Sequence, residues 1–317
     1  MKRFLIKILV VVLVLLAIMS CVDVWITRNL HHSEAKLLKS MNETFFDSTY
    51  YNIVIMGNSR GLVQYDTRII DSMTGKNSYN LSVNGRGIVS QIIKYKAFEK
   101  RHGSPKCIIQ NVDCFTLEDY NGFEREQYLP YLFDSELFCL TKNREGFSYT
   151  DRYIPLIRYA GYDQMIKEGL GIKNKMIKSQ VFHGYSPNYA SWNGKLLAGV
   201  KEVVFHHNEG CVASFIEYLK SCQDKGVEVI FVFSPIYSGV KDRMDEKEEK
   251  IMFETYENIA SEYGIKVLSW WNSPICDDTA YFYNATHLNG YGAEKFTIEL
   301  MDRLDSLYLE TEEISVF

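Results

Sequence analysis

Tyr51-Asn52-Ile53-Val54-Ile55-Met56-Gly57-Asn58-Ser59-Arg60 is the stretch on which the fold turns. Tyr51 to Met56 is a short, β-branched, apolar run stopped by Gly57, which predicts a buried strand. Gly57-Asn58-Ser59-Arg60 falls where that strand meets its turn. A serine so placed projects from the carboxyl edge of a parallel sheet, and the turn aims backbone N–H groups where an oxyanion would form. A G-x-S tripeptide alone is most often just a turn. No G-K-[ST] follows, so the turn is not a P-loop.

Working outward, the strand is the first of five. Ser78 to Val83, Cys107 to Val112, Val227 to Phe233 and Ile265 to Ser269 read as the others. Helical sequence separates them. Asp66 to Met73 is ended by Gly75, and Ile88 to Arg101 has an apolar stripe through Ile88, Ile92, Tyr95 and Phe98. Cys211 to Lys225 is stopped by Gly226, Lys241 to Tyr263 by Gly264, and Asn289 to Leu307 closes the series. Alternating strands and helices imply right-handed crossovers. The predicted fold is α/β, a three-layer α/β/α arrangement with a flavodoxin-like, five-stranded parallel sheet, preceded by a transmembrane helix. Ligands bind such sheets beyond the carboxyl ends of their strands.

Two regions break the pattern. From about 114 to 205 the chain is rich in Tyr and Phe, with a helical piece at Tyr153 to Leu170. It reads as an insertion into the α/β domain, which otherwise spans 51–310. The insertion is expected over the ligand edge of the sheet, with Tyr185, Tyr189 and Trp192 as candidate groove residues. At the other end, Phe4 to Ile26 is long enough to cross a bilayer, since about 20 residues suffice. Lys2, Arg3 and Lys7 on the short side favour a cytoplasmic N-terminus. Residues 1–27 are therefore an expected anchor and 28–50 a stalk or first helix, with the C-terminal domain outside the cytoplasm. A lipoprotein signal ending at Cys21 is the rival reading, with Met19 a poor fit to its pattern.

Composition bounds the rest. Of 317 residues 46% are hydrophobic, and the formal net charge of -5 with no long basic run argues against nucleic acid as a partner. The seven cysteines form no C-x-x-C and no zinc spacing, so neither a metal nor another cofactor is expected. Cys211 and Cys222 lie about 16 Å apart along one helix, beyond the reach of a disulfide. The cysteines read as mostly free and buried.

The second chemical element is Asn284-Ala285-Thr286-His287-Leu288-Asn289-Gly290, just before the last helix. His287 lies in a loop at the strand ends, where a base for Ser59 has to be. His31 and His32 lie beside the membrane, His102 at a helix end, and His183, His206 and His207 in or near the insertion.

Together these blocks resemble the SGNH, or GDSL-like, hydrolases and acyltransferases. That family carries G-x-S after the first strand, a glycine after the second, an asparagine after the third, and D-x-x-H before the last helix. Here Ser59, Gly85 in Asn80-Leu81-Ser82-Val83-Asn84-Gly85, Asn111 in Gln110-Asn111-Val112-Asp113, and His287 stand in those places, over roughly 51–113 and 211–307. The layout is most similar to the membrane-anchored bacterial branch that works beside membrane-bound O-acyltransferases on cell-surface polysaccharide. The teichoic-acid D-alanyl transfer protein has a similar layout.

The resemblance implies an extracytoplasmic serine esterase or O-acyltransferase acting on acyl groups of a cell-surface glycan. Ser59 would be the nucleophile and His287 its base, with the Ser59 and Gly85 N–H groups and the Asn111 amide holding the oxyanion. The departure is Asn284, where the family has aspartate. An amide can orient the ring but brings no charge, and in serine proteases the corresponding Asp-to-Asn change costs about 10⁴ in rate. Asp277, Asp278 or Asp113 is a possible substitute acid. A catalytically degenerate scaffold that binds glycan or a membrane O-acyltransferase is the alternative.

Overall fold

Five apolar runs pair into one parallel sheet in this computed structural model, which describes all residues except 86, 120–124, 143–145, 173–180, 195–201 and 311–317. The strands are β1 (Ile53–Met56), β2 (Ser78–Asn80), β3 (Cys107–Asn111), β4 (Glu228–Phe233) and β5 (Lys266–Ser269). Their order is β2-β1-β3-β4-β5, the flavodoxin-like order the sequence implies. Ile53 pairs with Cys107 and Ile55 with Ile109, while Asn111 pairs with Val232, so the carboxyl ends of the central strands come level.

Successive residues on a strand point to opposite faces, and both faces here are covered. Val54, Met56, Ile108, Phe231 and Phe233 join one core with side chains of the Ile88–His102, Glu209–Asp224 and Glu246–Tyr263 helices. Ile53, Ile55, Ile109, Ile230 and Val232 join the other, with Phe296, Leu300 and Leu304 of the Gly290–Glu310 helix. Double coverage explains why these strands are continuous apolar runs instead of alternating ones.

Element boundaries differ from expectation where side chains compete for backbone groups. β2 ends at Asn80, three residues early, because the Asn80 side-chain oxygen accepts from the Ser82 N–H and turns the chain. The run expected from Lys241 to Tyr263 divides into Ser238–Lys241 and Glu246–Tyr263. Asp245 starts the second helix by accepting from the Lys247 N–H. Asp66 caps the Thr67–Thr74 helix and Gly75 ends it at φ +65°.

The chain divides into two compact units, Ser48–Tyr120 with Gln180–Phe317, and Met1–Asp47 with Asn121–Ser179. The first holds the sheet. In the second, the N-terminal helix runs from Lys2 to Leu30 with mean hydropathy 3.1 in its most apolar window, long and apolar enough to cross a membrane. Its apolar length is exposed, and only Asp23, Ile26, Thr27 and Leu30 are buried, at its C-terminal end. The segment expected as a stalk or first helix forms the Lys36–Phe46 helix, which buries Leu38 and Met41 and stacks Phe45 on Tyr131 at 4.7 Å. The region expected as one insertion is shared. Residues 121–179 belong with the N-terminal helix, and residues from 180 onward belong with the sheet. The expected helix from Tyr153 to Leu170 is three short pieces, Tyr149–Tyr153, Ile157–Tyr159 and Asp163–Gly169. All seven cysteines are free, five of them buried.

Candidate active site

β1 gives way to Gly57, where the next turn packs tightly on β3. A Cβ on Gly57 would lie 2.9 Å from the Asn111 Cβ, and one on Gly61 would collide with the Ser82 hydroxyl. Asn58 then caps a short helix, Ser59–Gln64, by accepting from the Arg60 N–H at 3.0 Å. Ser59 is the first residue of that helix and half-buried. No described residue takes its N–H, as expected for a first-turn donor.

The facing group comes from a hairpin the sequence did not announce. β6 (Phe282–Asn284) and β7 (His287–Leu288) pair antiparallel, with Asn284 opposite His287. His287 Nε2 lies 2.8 Å from Ser59 Oγ, and His287 Nδ1 lies 2.9 Å from Asn284 Oδ1. The Thr286 backbone N–H also points at that Asn284 atom, at 3.0 Å. A backbone N–H can only donate, so the atom is the amide oxygen, and an oxygen facing Nδ1 requires the proton to be on Nδ1. Nε2 is then the bare nitrogen, free to accept from Ser59. Thr286 Oγ1, 2.8 Å from Nδ1, supports the same ring edge, and Tyr283 stacks on the ring at 5.4 Å.

Behind the serine lies a buried ion pair. Arg60 Nη1 is 3.3 Å from Asp113 Oδ2, with both side chains almost fully buried. Arg60 also donates to the backbone carbonyls of Ser234 and Pro235. Asp113 accepts from Asn58 Nδ2 at 2.7 Å, the Phe115 N–H and the Thr116 hydroxyl. The pair thereby ties the Ser59 turn to the ends of β3 and β4.

Electrostatics follow from this layout. Burial first and the Arg60 cation second push the His287 pKa down to about 4, with Asp113 partly offsetting them. Desolvation and a nearby cation both disfavour imidazolium. The ring is neutral at pH 7 and weakly basic.

The other expected site residues are less closely tied. Gly85 is exposed in the turn after β2, at φ +62°, a left-handed conformation that suits glycine. Asn111 ends β3 fully buried, its oxygen accepting from the Tyr65 hydroxyl at 2.9 Å, and its Nδ2 has no partner among the described residues. No hydrogen bond joins Gly85 or Asn111 to Ser59 or His287 among the described residues. Of the possible substitute acids, Asp113 is committed to Arg60 and Asp278 caps the turn at Ala280. Among the described residues, no carboxylate hydrogen-bonds His287. Arg60, Thr286 and Tyr283 are the neighbours that motif reading missed. An arginine directly after the candidate serine, with an aspartate closing the third strand, was the available signal for the ion pair.

Part of the aromatic-rich region borders this hairpin. The Asn188 carbonyl accepts from the Gly290 N–H at 2.8 Å, the Tyr189 ring closes on Gly290, and Trp192 lies 4.9 Å from Tyr237. Tyr185 is fully buried, so as a core side chain it cannot line a groove; that expectation is corrected.

No family model matches the chain, and no curated protein does. Among solved structures, it is similar to a Streptococcus pneumonia protein described as "a putative platelet activating factor", at 12% identity and a TM-score of 0.42, covering 93% of this chain and 98% of that one. It is also similar to "a putative acylhydrolase" from Bacteroides fragilis, at 10% identity and a TM-score of 0.36, covering 79% of this chain and 86% of the other. These are likenesses of chain course, and they assign no residue or activity here.

Proposed function

We propose that the chain is a membrane-anchored serine esterase or O-acyltransferase of the SGNH type, acting outside the cytoplasm on acyl groups of cell-surface polysaccharide. The observation that carries this reading is the continuous chain Ser59 Oγ to His287 Nε2 at 2.8 Å and His287 Nδ1 to Asn284 Oδ1 at 2.9 Å. It supplies a nucleophile, a base and an orienter in hydrogen-bond contact. Ser59 Oγ attacks the acyl carbonyl while its proton passes to Nε2. The imidazolium returns that proton to the departing alkoxide, leaving an acyl-serine. Water, or a glycan hydroxyl, then attacks the acyl-serine with its own proton going to Nε2. The acyl–Oγ bond breaks as the imidazolium returns that proton to Ser59 Oγ, releasing the free acid or the acylated glycan. The Ser59 and Gly85 N–H groups and Asn111 Nδ2, which has no partner among the described residues, are the proposed oxyanion donors. Lys2, Arg3 and Lys7 favour a cytoplasmic N-terminus, and a membrane-bound O-acyltransferase is the proposed neighbour.

The lack of a carboxylate on His287 among the described residues favours a second reading, a scaffold that binds glycan or that enzyme without turnover. Full-length protein in detergent, treated with a fluorophosphonate probe and assayed on a small acetyl ester, separates the two. Labelling and turnover that vanish in Ser59→Ala support the enzyme. Absence of both in the unaltered chain leaves the scaffold.

A further inference from the structure

A second face is built around the point where the N-terminal helix leaves its apolar stretch. Asp23 follows that stretch directly and is buried, with Arg158 Nη2 2.8 Å from its carboxylate and Thr27 Oγ1 within 2.8 Å of the same nitrogen. Along the same buried face of the helix, Gly169 packs directly on Ile26, and Asn29 donates to the Gly169 carbonyl at 2.7 Å. Arg158 and Gly169 thus grip the helix between Asp23 and Asn29, directly after its long apolar run.

The same elements leave large apolar side chains uncovered. Ile157 is the neighbour of Arg158, and Phe133, 51% exposed, lies under the Arg158 guanidinium at 4.5 Å. Arg152 donates to the Phe133 carbonyl and sits 5.4 Å over the ring of Tyr153, which is 65% exposed. Tyr149, also exposed, stacks on Tyr153 and carries Lys142 over its ring at 4.1 Å. Trp25 stands exposed on the helix itself. A run of exposed rings topped by Arg and Lys is ill suited to water. It matches the interfacial layer of a bilayer, where amphipathic rings sit at headgroup level and cations meet phosphate.

We infer that this face of the Met1–Asp47 and Asn121–Ser179 unit lies on the phospholipid surface, with Phe133, Tyr149, Tyr153 and Ile157 immersed among the headgroups. The inference rests on the reading that the Lys2–Leu30 helix crosses the membrane. Lipid is the occupant because Arg158, which clasps Asp23 at the end of the apolar stretch, also carries the exposed Phe133 ring at 4.5 Å and has the exposed Ile157 beside it, so the face begins where the membrane-crossing stretch ends. The anchor then fixes the height and tilt of the unit it carries, since a helix with one gripping cap and a wetted collar has two points of attachment.

The test is photo-crosslinking of the full-length chain in phosphatidylcholine–phosphatidylglycerol vesicles. p-Benzoylphenylalanine replaces Tyr153 or Ile157, with Val12 in the apolar run and Glu34, an exposed carboxylate of the same unit, as references. Lipid adducts at 153 and 157 comparable to those at 12, and about tenfold or more above those at 34, are expected from burial in the interface. Adducts at 12 but none at 153 and 157 overturn the inference, as does crosslinking of 153 or 157 to a second copy of the chain or to another protein. Absence of adducts at 12 overturns the membrane-crossing reading itself, and with it this one.

Discussion

Among the described residues two arginine–aspartate pairs are buried, and their surroundings differ in an instructive way. Arg60–Asp113 lies behind the serine, with its carboxylate held by Asn58, the Phe115 N–H and Thr116 as well as by the guanidinium. Arg158–Asp23 lies at the end of the apolar helix, and among the described residues Asp23 has no donor but Arg158, its Oδ1 having none at all. In the first the carboxylate is held by several donors, an arrangement costly to build but tolerant of one lost bond. The second is a single clasp. Buried charges repay their desolvation only when the remaining lone pairs are satisfied, so the sheet unit uses its pair for rigid placement. The helix unit uses its pair to join two segments 135 residues apart.

The largest expected effect breaks the comparison by function. Ser59→Ala should remove ester turnover and fluorophosphonate labelling, a fall of at least about 10³-fold if the serine is the nucleophile. Arg158→Met should leave turnover per folded molecule unchanged. Equal losses in the two variants would mean that the chemistry does not reside at Ser59.

Stability sharpens it next. Arg158→Met strands a carboxylate without any donor and should cost about 3–5 kcal/mol, the usual range for breaking a buried pair. Arg60→Met leaves Asp113 with three donors and should fall at or below the low end of that range. Amide exchange by mass spectrometry reads both, over 125–170 for the first variant and 53–64 for the second. A larger opening in 53–64 than in 125–170 would reverse the assignment of network and clasp.

Strand runs were legible because a doubly covered parallel sheet makes its strands uniformly apolar, and Val227 to Phe233 could hardly be anything else. Ser59 and His287 were legible as a serine at a strand end and a histidine before the last helix, and the structure brings the two side chains together. The β6–β7 hairpin was not legible. It is held by Asn284 accepting from its own turn, a local bond that competes with any periodic signal. Arg60 and Asp113 were each legible beside a strand end, but their pairing was not, because they lie 53 residues apart and adjacency depends on strand order. The division of 114–205 between two units was hidden for the same reason. Only the third dimension shows that Arg158 reaches back to Asp23.

The smallest effect concerns Asn284, which makes His287 unlike a base supported by a carboxylate. With its pKa depressed to about 4, His287 is neutral throughout the neutral range, and kcat/KM should hold level until the pH falls toward 4. Asn284→Asp places an anion on Nδ1–H, which favours the imidazolium and raises the pKa. The sign of the change therefore depends on pH. Near pH 8 the base is deprotonated in both proteins, and the variant, with the stronger base and a charged partner, should turn over about tenfold faster or more, given the roughly 10⁴ scale of the reverse change in a serine protease. Near pH 5 the variant's histidine is increasingly protonated while the original stays neutral, so the advantage should shrink and the acid limb should sit at higher pH. Stability follows the same linkage. A histidine whose folded pKa is below its unfolded value of about 6.5 contributes stability that is full above that value and is lost as pH falls toward 4. The variant should lose less over that window. A pH–rate profile with its acid limb unmoved in Asn284→Asp would show that Asn284 does not govern the His287 ring, and Thr286 would be the next side chain to replace.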